Sequence, residues 1–260
     1  MKTEKLQKVL ARAGYGSRRQ IEEWIKDGRI QVNDRIAILG DRVEHKDKIY
    51  LDGQFCQRAC EAIQTRVLIY HKPLEVVTTR HDPEGRKTVF DALPPIRDGR
   101  WINIGRLDYF TSGLLLFTND GELAHQLMHP STQIEREYSV RVVGKITAEI
   151  LNKLSHKVEL EDGSAHFENI VEYKGEGINR WFKVMVREGR NRLVRRLWES
   201  QGISVNRLKR VKFGPIFLPK SLTSGSWLEL SKDQVNHLKD YAKSKHLDVP
   251  GSLSGLWSSS

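Results

Sequence analysis

Several features that would assign a protein to a class are missing from this chain of 260 residues. It has no apolar run of roughly 18 residues that could span a membrane, and its first residues form no apolar signal core. Its only two cysteines, Cys56 and Cys60, predict neither a disulfide framework nor a closed zinc site. Phosphate-binding glycine loops and dinucleotide fingerprints are also missing. We therefore expect a cytoplasmic protein with no bound metal and no cofactor.

Positive charge, by contrast, is in excess. The 43 Lys and Arg outnumber the 33 Asp and Glu, which gives a formal net charge of +10 and a pI of about 9.6. Such an excess indicates a polyanionic partner, most simply nucleic acid. Nine basic residues against two acidic ones lie between Arg187 and Lys212. Because the guanidinium fork matches phosphate oxygens, this segment favours phosphate contact over a merely solvated surface.

The first sixty residues have the pattern of a small separate unit. Apolar spacing from Leu6 to Ala13 predicts a helix that ends at Gly14, and Ser17 with Gln20 has the form of a capping box for a second helix. Short strands are predicted between Ile30 and Leu51. The basic residues that converge near the turn between the helices are Lys5, Lys8, Arg12, Arg18 and Arg19. From spacing alone, a binding surface and a solvated face are equally consistent with them.

This segment resembles the S4 RNA-binding domain. The resemblance rests on Leu6–Gly14, Gly16–Arg19 and Gly28–Asn33, and it departs at Asp34, where the family often has glycine. Aspartate tolerates the same turn conformation, so the departure changes little. The resemblance implies that the five basic residues lie against structured RNA. A helix-turn-helix DNA reader is the alternative, and the strand-rich ending argues against it.

From Thr65 to Leu230, strand-like runs outnumber helical ones. The clearest strands are Val67–Tyr70, Leu114–Phe117, Tyr138–Val142 and Trp181–Val186, and the helical pieces are Glu122–Met128, Thr147–Leu154 and Leu193–Gln201. This irregular order predicts an α+β fold with a mostly antiparallel mixed sheet. We expect a small S4-like α/β RNA-binding domain over residues 1–60, a larger domain over residues 61–245 and a disordered tail over residues 246–260.

One carboxylate in the larger region is placed differently from the others. Asp108 ends the sequence Gly105-Arg106-Leu107-Asp108, and a turn-like Thr111-Ser112-Gly113 then leads into the apolar run from Leu114. An aspartate before a turn is usually a turn or cap residue. At the edge of a sheet, however, it can be aimed rigidly at a ligand. Tyr138 begins another strand, where propensity alone indicates packing.

Together these motifs resemble the pseudouridine synthases that modify ribosomal RNA and carry an S4 domain. The match runs from Met1 to about Leu230 and is most specific at Gly105–Asp108. Other matching segments are Lys72-Pro73, Asp82–Arg86, Leu127–Pro130, Arg136–Tyr138 and Glu188–Arg192. The chain departs from the family at His71, where asparagine is common, and at Glu75, a place often held by glycine. Both departures bear on local loop shape.

The resemblance implies that a uridine in large-subunit ribosomal RNA is isomerised to pseudouridine. Asp108 would be the anion beside C1′ of the ribose, and it would act either by covalent attack on C1′ or by removal of a C2′ proton. Tyr138 would stack on the flipped uracil, and Arg195 would pair with Asp108. Arg106 would either occupy the space that the flipped base vacates in the RNA or contact the RNA backbone. Arg190 and Arg192 would be phosphate contacts or part of the local structure.

The resemblance also bears on cofactors and assembly. The isomerisation gains and loses no atoms, so neither a cofactor nor a metal is needed. We expect a cytoplasmic monomer whose partner is ribosomal RNA, with no membrane contact. The alternative is a non-catalytic S4-type RNA-binding or ribosome-assembly protein in which Asp108 is only structural. The presence together of Asp108, Tyr138 and Arg195 in family register argues against it.

Overall fold

The structure, a computed structural model, describes residues 3–60, 64–97 and 99–246. The tail that we expect to be disordered lies outside this range from residue 247 onward. No helix in the described part of the chain is long and apolar enough to cross a membrane. The chain divides into two compact units, the first comprising Met1–Arg66, Pro94–Ile102 and Thr118–Gly121, and the second Val67–Leu93, Asn103–Phe117 and Glu122–Ser260. The boundary after residue 60 stays a prediction.

The N-terminal unit begins with two helices and continues with short strands. Its elements are β1 (Glu4–Lys5), α1 (Leu6–Arg12), α2 (Arg18–Lys26), β2 (Ile30–Val32), β3 (Arg35–Ile36), β4 (Arg42–Val43), β5 (Ile49–Leu51) and β6 (Gln54–Phe55). The hydroxyl of Ser17 accepts a hydrogen bond from the Gln20 backbone N–H at 3.1 Å, which caps α2 as predicted. In the turn after β2, Asn33 rather than Asp34 takes the left-handed conformation, with φ of 54°.

The remaining elements continue in chain order. The strands are β7 (Val67–Lys72), β8 (Ile102–Ile104), β9 (Ser112–Thr118), β10 (Arg136–Val143), β11 (Val158–Leu160), β12 (Gly163–Ala165), β13 (Asn169–Glu176), β14 (Asn179–Val186), β15 (Ser204–Phe213), β16 (Ile216–Phe217) and β17 (Trp227–Glu229). The helices are α3 (Gly121–Met128), α4 (Ala148–Leu154), α5 (Leu193–Glu199) and α6 (Lys232–His246). The sequence analysis predicts every one of these helices except α6.

Nine of these strands form one sheet. Its order is β13-β14-β10-β15-β9-β7-β17, with β16 added to β15 and β8 added to β9. Strands β9 and β15 are parallel, whereas β10 pairs antiparallel with both β14 and β15. The predicted α+β fold with a mostly antiparallel mixed sheet is confirmed.

Helix α5 is held against this sheet by its apolar face. Leu197 and Trp198 are fully buried, in one cluster with Phe182 of β14 and Val140 of β10. The ring of Trp198 lies 5.1 Å from that of Phe182, a distance typical of stabilising aromatic pairs. Because burial of these large side chains fixes the helix, a polar side chain on its other face has a defined direction.

Candidate active site

Lys72 anchors the loop that carries Asp108. The loop joins β8 to β9, and Lys72 is the last residue of β7. The side chain of Lys72 is fully buried, and its Nζ donates to the carbonyls of Pro73, Asp108 and Thr111 at 2.9, 3.1 and 3.0 Å. Burial lowers the pKa of Lys72 to about 8, and the negative charge of Asp108 acts in the opposite direction. Two of the three hydrogen bonds of the ammonium group thus fix the two ends of the Asp108–Thr111 turn.

Further donors hold the backbone on each side of the aspartate. The hydroxyl of Thr78 donates to the Leu107 carbonyl at 2.9 Å, and the backbone N–H of Glu75 donates to the Tyr109 carbonyl at 2.9 Å. Glu75 adopts a left-handed conformation with φ of 61°, which explains why glycine is common at this position in the family it resembles. The loop is therefore preorganised through its main chain.

The carboxylate of Asp108 is left open by this arrangement. Its residue is partly exposed, and among the described residues the carboxylate accepts no hydrogen bond. Its partners are electrostatic, since its charge acts on the buried cations of Lys72 and Arg195. All of the acceptor capacity of the carboxylate therefore remains available to a ligand.

Gly113 lets the loop enter the sheet. It pairs with Arg210 of the parallel strand β15 and has a φ of 106°, which side chains rarely allow. A Cβ atom at this position would overlap the Arg210 backbone, lying 2.7 Å from its nitrogen. Arg210 itself is buried and donates from Nε to the Leu114 carbonyl at 2.8 Å. This close approach explains the glycine of the motif.

The same arginine places Tyr138 relative to the loop. Tyr138 lies opposite Arg210 across the β10–β15 pair, next to an irregularity in the register. Neighbouring strands lie about 4.8 Å apart, so the backbone of Tyr138 is two strands, or about 10 Å, from that of Gly113. The ring of Tyr138 is partly buried and packs against the core cluster beneath α5.

Arg195 reaches the loop from α5. It is only 7% exposed, and it donates from Nη1 to the Val205 carbonyl at 2.9 Å and from Nη2 to the Phe110 carbonyl at 2.8 Å. Burial lowers its pKa, as does the nearby charge of Arg192, whereas the charge of Asp108 raises it. Arg195 is thus linked to Asp108 in two ways. Its side chain donates to the carbonyl of Phe110, two residues after Asp108, and the two charges attract each other. Direct pairing stays a prediction.

The other arginines named from the sequence differ in how they are held. Arg190 donates to Glu188, to Asp162 and to the carbonyls of Gly163 and Ser164, at 2.6 to 3.1 Å. These contacts favour its role in local structure. Arg192 lies just before α5 in a left-handed conformation, and its side chain is 3.4 Å from that of Glu199. Arg106 is exposed, and its side chain makes no hydrogen bond or ion pair within the described part of the chain.

The basic residues of the N-terminal unit form two groups. Lys8 and Arg12 lie 3.7 and 2.7 Å from Glu4, so part of their charge is neutralised within the unit. Lys5, Arg18 and Arg19 are exposed. Arg18 also lies close enough to Arg100 that its charge, after burial, lowers the pKa of Arg100. Arg100 was missed in the sequence, since it lies far from the helices along the chain.

Comparison with known proteins decides between the catalytic and the non-catalytic interpretation of this chain. Residues 66–200 match the family described as RNA pseudouridylate synthase, and residues 4–49 match the S4 domain. The chain belongs to the RNA pseudouridylate synthase family. A relative from Vibrio cholerae, named ribosomal large subunit pseudouridine synthase B, is 58% identical over 240 residues, which cover 92% of this chain and 75% of the relative. A relative of that name from Salmonella typhimurium is 56% identical, with 91% and 82% covered.

A solved structure agrees with this at the level of the fold. It is described as a crystal structure of pseudouridylate synthase and has a TM-score of 0.61, 22% identity and coverage of 90% of this chain and 99% of its own. As a pseudouridylate synthase with an S4 domain, the protein is an enzyme that acts on RNA, and the non-catalytic alternative is set aside. In the described part of the chain no group of three His, Cys, Asp or Glu side chains could hold a metal ion.

Sequence reasoning undervalued Lys72 in this synthase. Its side chain lies 36 residues in sequence from Asp108 and 39 from Thr111, so no local pattern names those partners. The available signal was a lysine that ends an otherwise buried strand. A charged side chain there must either leave the core or find several acceptors inside it.

Proposed function

We propose that the protein isomerises a uridine of large-subunit ribosomal RNA to pseudouridine, with Asp108 as the catalytic anion. The proposal depends most on one observation, the loop whose backbone is held by Lys72 and Arg195 while the Asp108 carboxylate stays open. The relatives' printed name supports ribosomal RNA of the large subunit as the substrate. The family match over residues 66–200 supports the same reaction class.

The chemistry explains why an open carboxylate is useful. In the reaction the N1–C1′ bond breaks, the uracil turns, C5 joins C1′, and the proton that leaves C5 is replaced by one on N1. Positive charge develops on the ribose as the glycosidic bond breaks, and a preorganised anion beside C1′ stabilises it. Covalent attack on C1′ and removal of the C2′ proton both use the same carboxylate. No step requires a metal or a redox cofactor.

Tyr138 and Arg195 complete the proposed site. A base inside an RNA helix must leave the stack before its glycosidic bond can be reached. Tyr138 would stack on that base, since its strand lies about 10 Å from Gly113, which follows the loop of Asp108 in β9. Arg195 would hold the loop in position through the Phe110 carbonyl, and its charge would attract the Asp108 carboxylate.

The RNA backbone would be held by exposed cations of both units. In the N-terminal unit these are Lys5, Arg18 and Arg19, and the charge of Arg18 acts on the half-buried Arg100. Two like charges held close together are costly unless an anion lies between them, which favours an RNA phosphate near Arg18 and Arg100. In the larger unit Arg106 and Arg192 would contact the RNA, and Arg190 would support the loop around Asp162.

We further propose that the protein works as a monomer in the cytoplasm, where ribosomal RNA is made. The monomer is supported by the site itself, because Asp108, Tyr138 and Arg195 all come from one compact unit of one chain. Analytical ultracentrifugation at the concentration used for activity tests this part. Loss of activity on dilution below a dimer dissociation constant would contradict it.

The test of the function uses unmodified transcripts of large-subunit and small-subunit ribosomal RNA. The protein is incubated with each, and pseudouridines are mapped by carbodiimide labelling and primer extension. We expect a new pseudouridine in the large-subunit transcript alone, and none with Asp108→Asn. Modification confined to the small-subunit transcript would overturn the substrate, and equal modification by Asp108→Asn would overturn the site.

A further inference from the structure

Phe110 presents an exposed aromatic ring two residues after Asp108. Its residue is 58% exposed, whereas Thr111 directly after it is 2% exposed and Leu107, three residues before it, is 6% exposed. A single exposed apolar side chain needs no explanation on an ordinary surface. This one stands on the loop of Asp108, where the exposure of an apolar ring to water is unfavourable unless a ligand covers it.

The backbone beneath the ring is fixed. The carbonyl of Phe110 accepts the hydrogen bond from Arg195, and the carbonyls of Asp108 and Thr111 accept those from Lys72. The ring of Tyr109 meets that of Phe110 edge to face, with centroids 4.9 Å apart and planes at 80°. This contact limits the ring's motion on one side. Phe110 is therefore held outward instead of folding back onto the protein, and it keeps an aromatic surface open to a ligand.

We infer that Phe110 stacks on the base of a nucleotide that flanks the target uridine. The inference rests on the proposed function, since it needs an RNA whose uridine leaves the stack. When that uridine is flipped out, its neighbours lose a stacking partner. An aromatic side chain can replace such a stacking partner. The conformational entropy lost on binding is smaller here, because the backbone of Phe110 is already fixed.

The role differs from those proposed for the other site residues. Tyr138 is assigned to the target base, and Arg106 to the RNA backbone. A phosphate contact releases counterions, so its loss makes the salt dependence of binding shallower. A stacking contact carries no net charge, so its loss weakens binding without changing that slope. The two kinds of contact can therefore be told apart by titration with salt.

The experiment combines changes in the protein with changes in the RNA. Phe110→Ala, Phe110→Leu and Phe110→Tyr are compared with the full-length protein on an RNA fragment that it modifies. Two further RNAs lack the base on the 5′ or the 3′ side of the target uridine. Single-turnover rate and half-saturating protein concentration are measured for each pair. Phe217→Ala is the matched control, because Phe217 is 43% exposed in the same unit and pairs with Lys212 near the end of β15.

We expect Phe110→Ala to lower the rate at subsaturating protein roughly tenfold on the intact RNA, as is typical for loss of one stacked base. The defect should disappear on one of the two abasic RNAs, since the stack is already lost there. On the intact RNA, Phe110→Tyr should keep the rate of the original protein, whereas Phe110→Leu should be slower. Phe217→Ala should behave as the original protein on every RNA. The thermal unfolding midpoint should change little in any variant, because the ring is mostly exposed.

Three results would overturn the inference. A Phe110→Ala defect of equal size on all three RNAs would mean that the ring contacts neither flanking base. Full activity of Phe110→Leu would mean that apolar bulk rather than stacking matters. A shallower salt slope in Phe110→Ala would indicate a disturbed phosphate contact. If the original protein makes no pseudouridine, the proposed function fails. The stacking can still be tested, because the affinities of the Phe110 variants for the three RNAs can be compared in the Asp108→Asn background.

Discussion

Two aspartates of the larger unit are held in opposite ways. Asp162, between β11 and β12, accepts side-chain hydrogen bonds from Arg190 at 3.0 Å and from Arg196 at 2.7 and 2.8 Å. The bond from Arg196 is the main cause that lowers the pKa of Asp162. Asp108 accepts no such bond from the described residues, and its loop is held instead through carbonyls. A structural carboxylate is neutralised by its own partners, whereas the candidate catalytic one is positioned by its main chain and keeps its oxygens open.

The largest expected effect is on the single-turnover rate, which is compared between variants that lose the charge of Asp108 or the charge of Asp162. Asp108→Asn keeps the shape but loses the anion beside C1′, so the single-turnover rate should fall by about three orders of magnitude or more, with RNA affinity nearly unchanged. Asp162→Asn is the matched control and should leave the rate within a fewfold. Both are measured on the same RNA fragment under saturating protein. Near-normal turnover by Asp108→Asn would break the comparison.

A second effect separates two neighbouring arginines on α5. Arg195→Ala removes the donor to the Phe110 carbonyl and the cation near Asp108, and we expect a loss in single-turnover rate on the order of a hundredfold, about 3 kcal/mol. Arg196→Ala removes only the partly exposed ion pair with Asp162 and should change the rate little. If Arg195→Ala instead weakened affinity, made the salt slope shallower and left the rate at saturation normal, Arg195 would be a phosphate contact.

The titration of the Lys72 side chain tests whether this lysine is buried beneath the loop of Asp108. Its pKa is about 8, below the ordinary 10.5, because it is buried. Between these pH values the unfolded chain binds more protons than the folded one, so this lysine makes the free energy of unfolding rise with pH in that window. NMR titration of labelled lysine side chains should show a resonance that titrates near pH 8 and is missing in Lys72→Arg. A midpoint near 10 for that resonance would contradict the buried position.

The smallest expected effect concerns the backbone of Glu75. A side chain in the left-handed conformation costs about 1 kcal/mol relative to glycine, while glycine makes the unfolded chain more flexible. Glu75→Gly should therefore raise the free energy of unfolding by less than about 1 kcal/mol, as measured by urea denaturation. Glu159→Gly, on an exposed strand position of β11, should lower it. A loss of stability in Glu75→Gly would mean that the glutamate side chain stabilises the loop.

Local features of the fold were readable from the sequence. The spacing of apolar residues predicts α1, α2 and α5, and the hydroxyl of Ser17 caps α2 as its position indicates. Helix α6 could have been predicted too, because Val235, Leu238 and Ala242 recur at helical spacing and are buried. Such patterns depend on residues close together in the chain, where backbone geometry alone decides which side chains share a face.

The partners of the site residues were not readable. Arg195 and the Phe110 carbonyl lie 85 residues apart in the sequence, and Arg196 and Asp162 lie 34 apart. Both arginines belong to the same basic segment, and nothing in its pattern tells which one turns toward the loop of Asp108. Sheet register and the packing of Trp198 decide it. The family resemblance supplied the identity of Arg195, and its geometry came from the fold.

The parallel pairing of Gly113 with Arg210 has a consequence for synthesis. The ribosome makes Asp108 long before it makes the chain that completes its surroundings, since β15 and the guanidinium of Arg195 come from much later in the sequence. A growing chain that ends before α5 carries the whole motif together with Lys72 and Thr78, but it lacks Arg195 and the strand beside Gly113. Pairings between distant segments also form slowly. We therefore expect an unfinished chain to be inactive until α5 and β15 have been made.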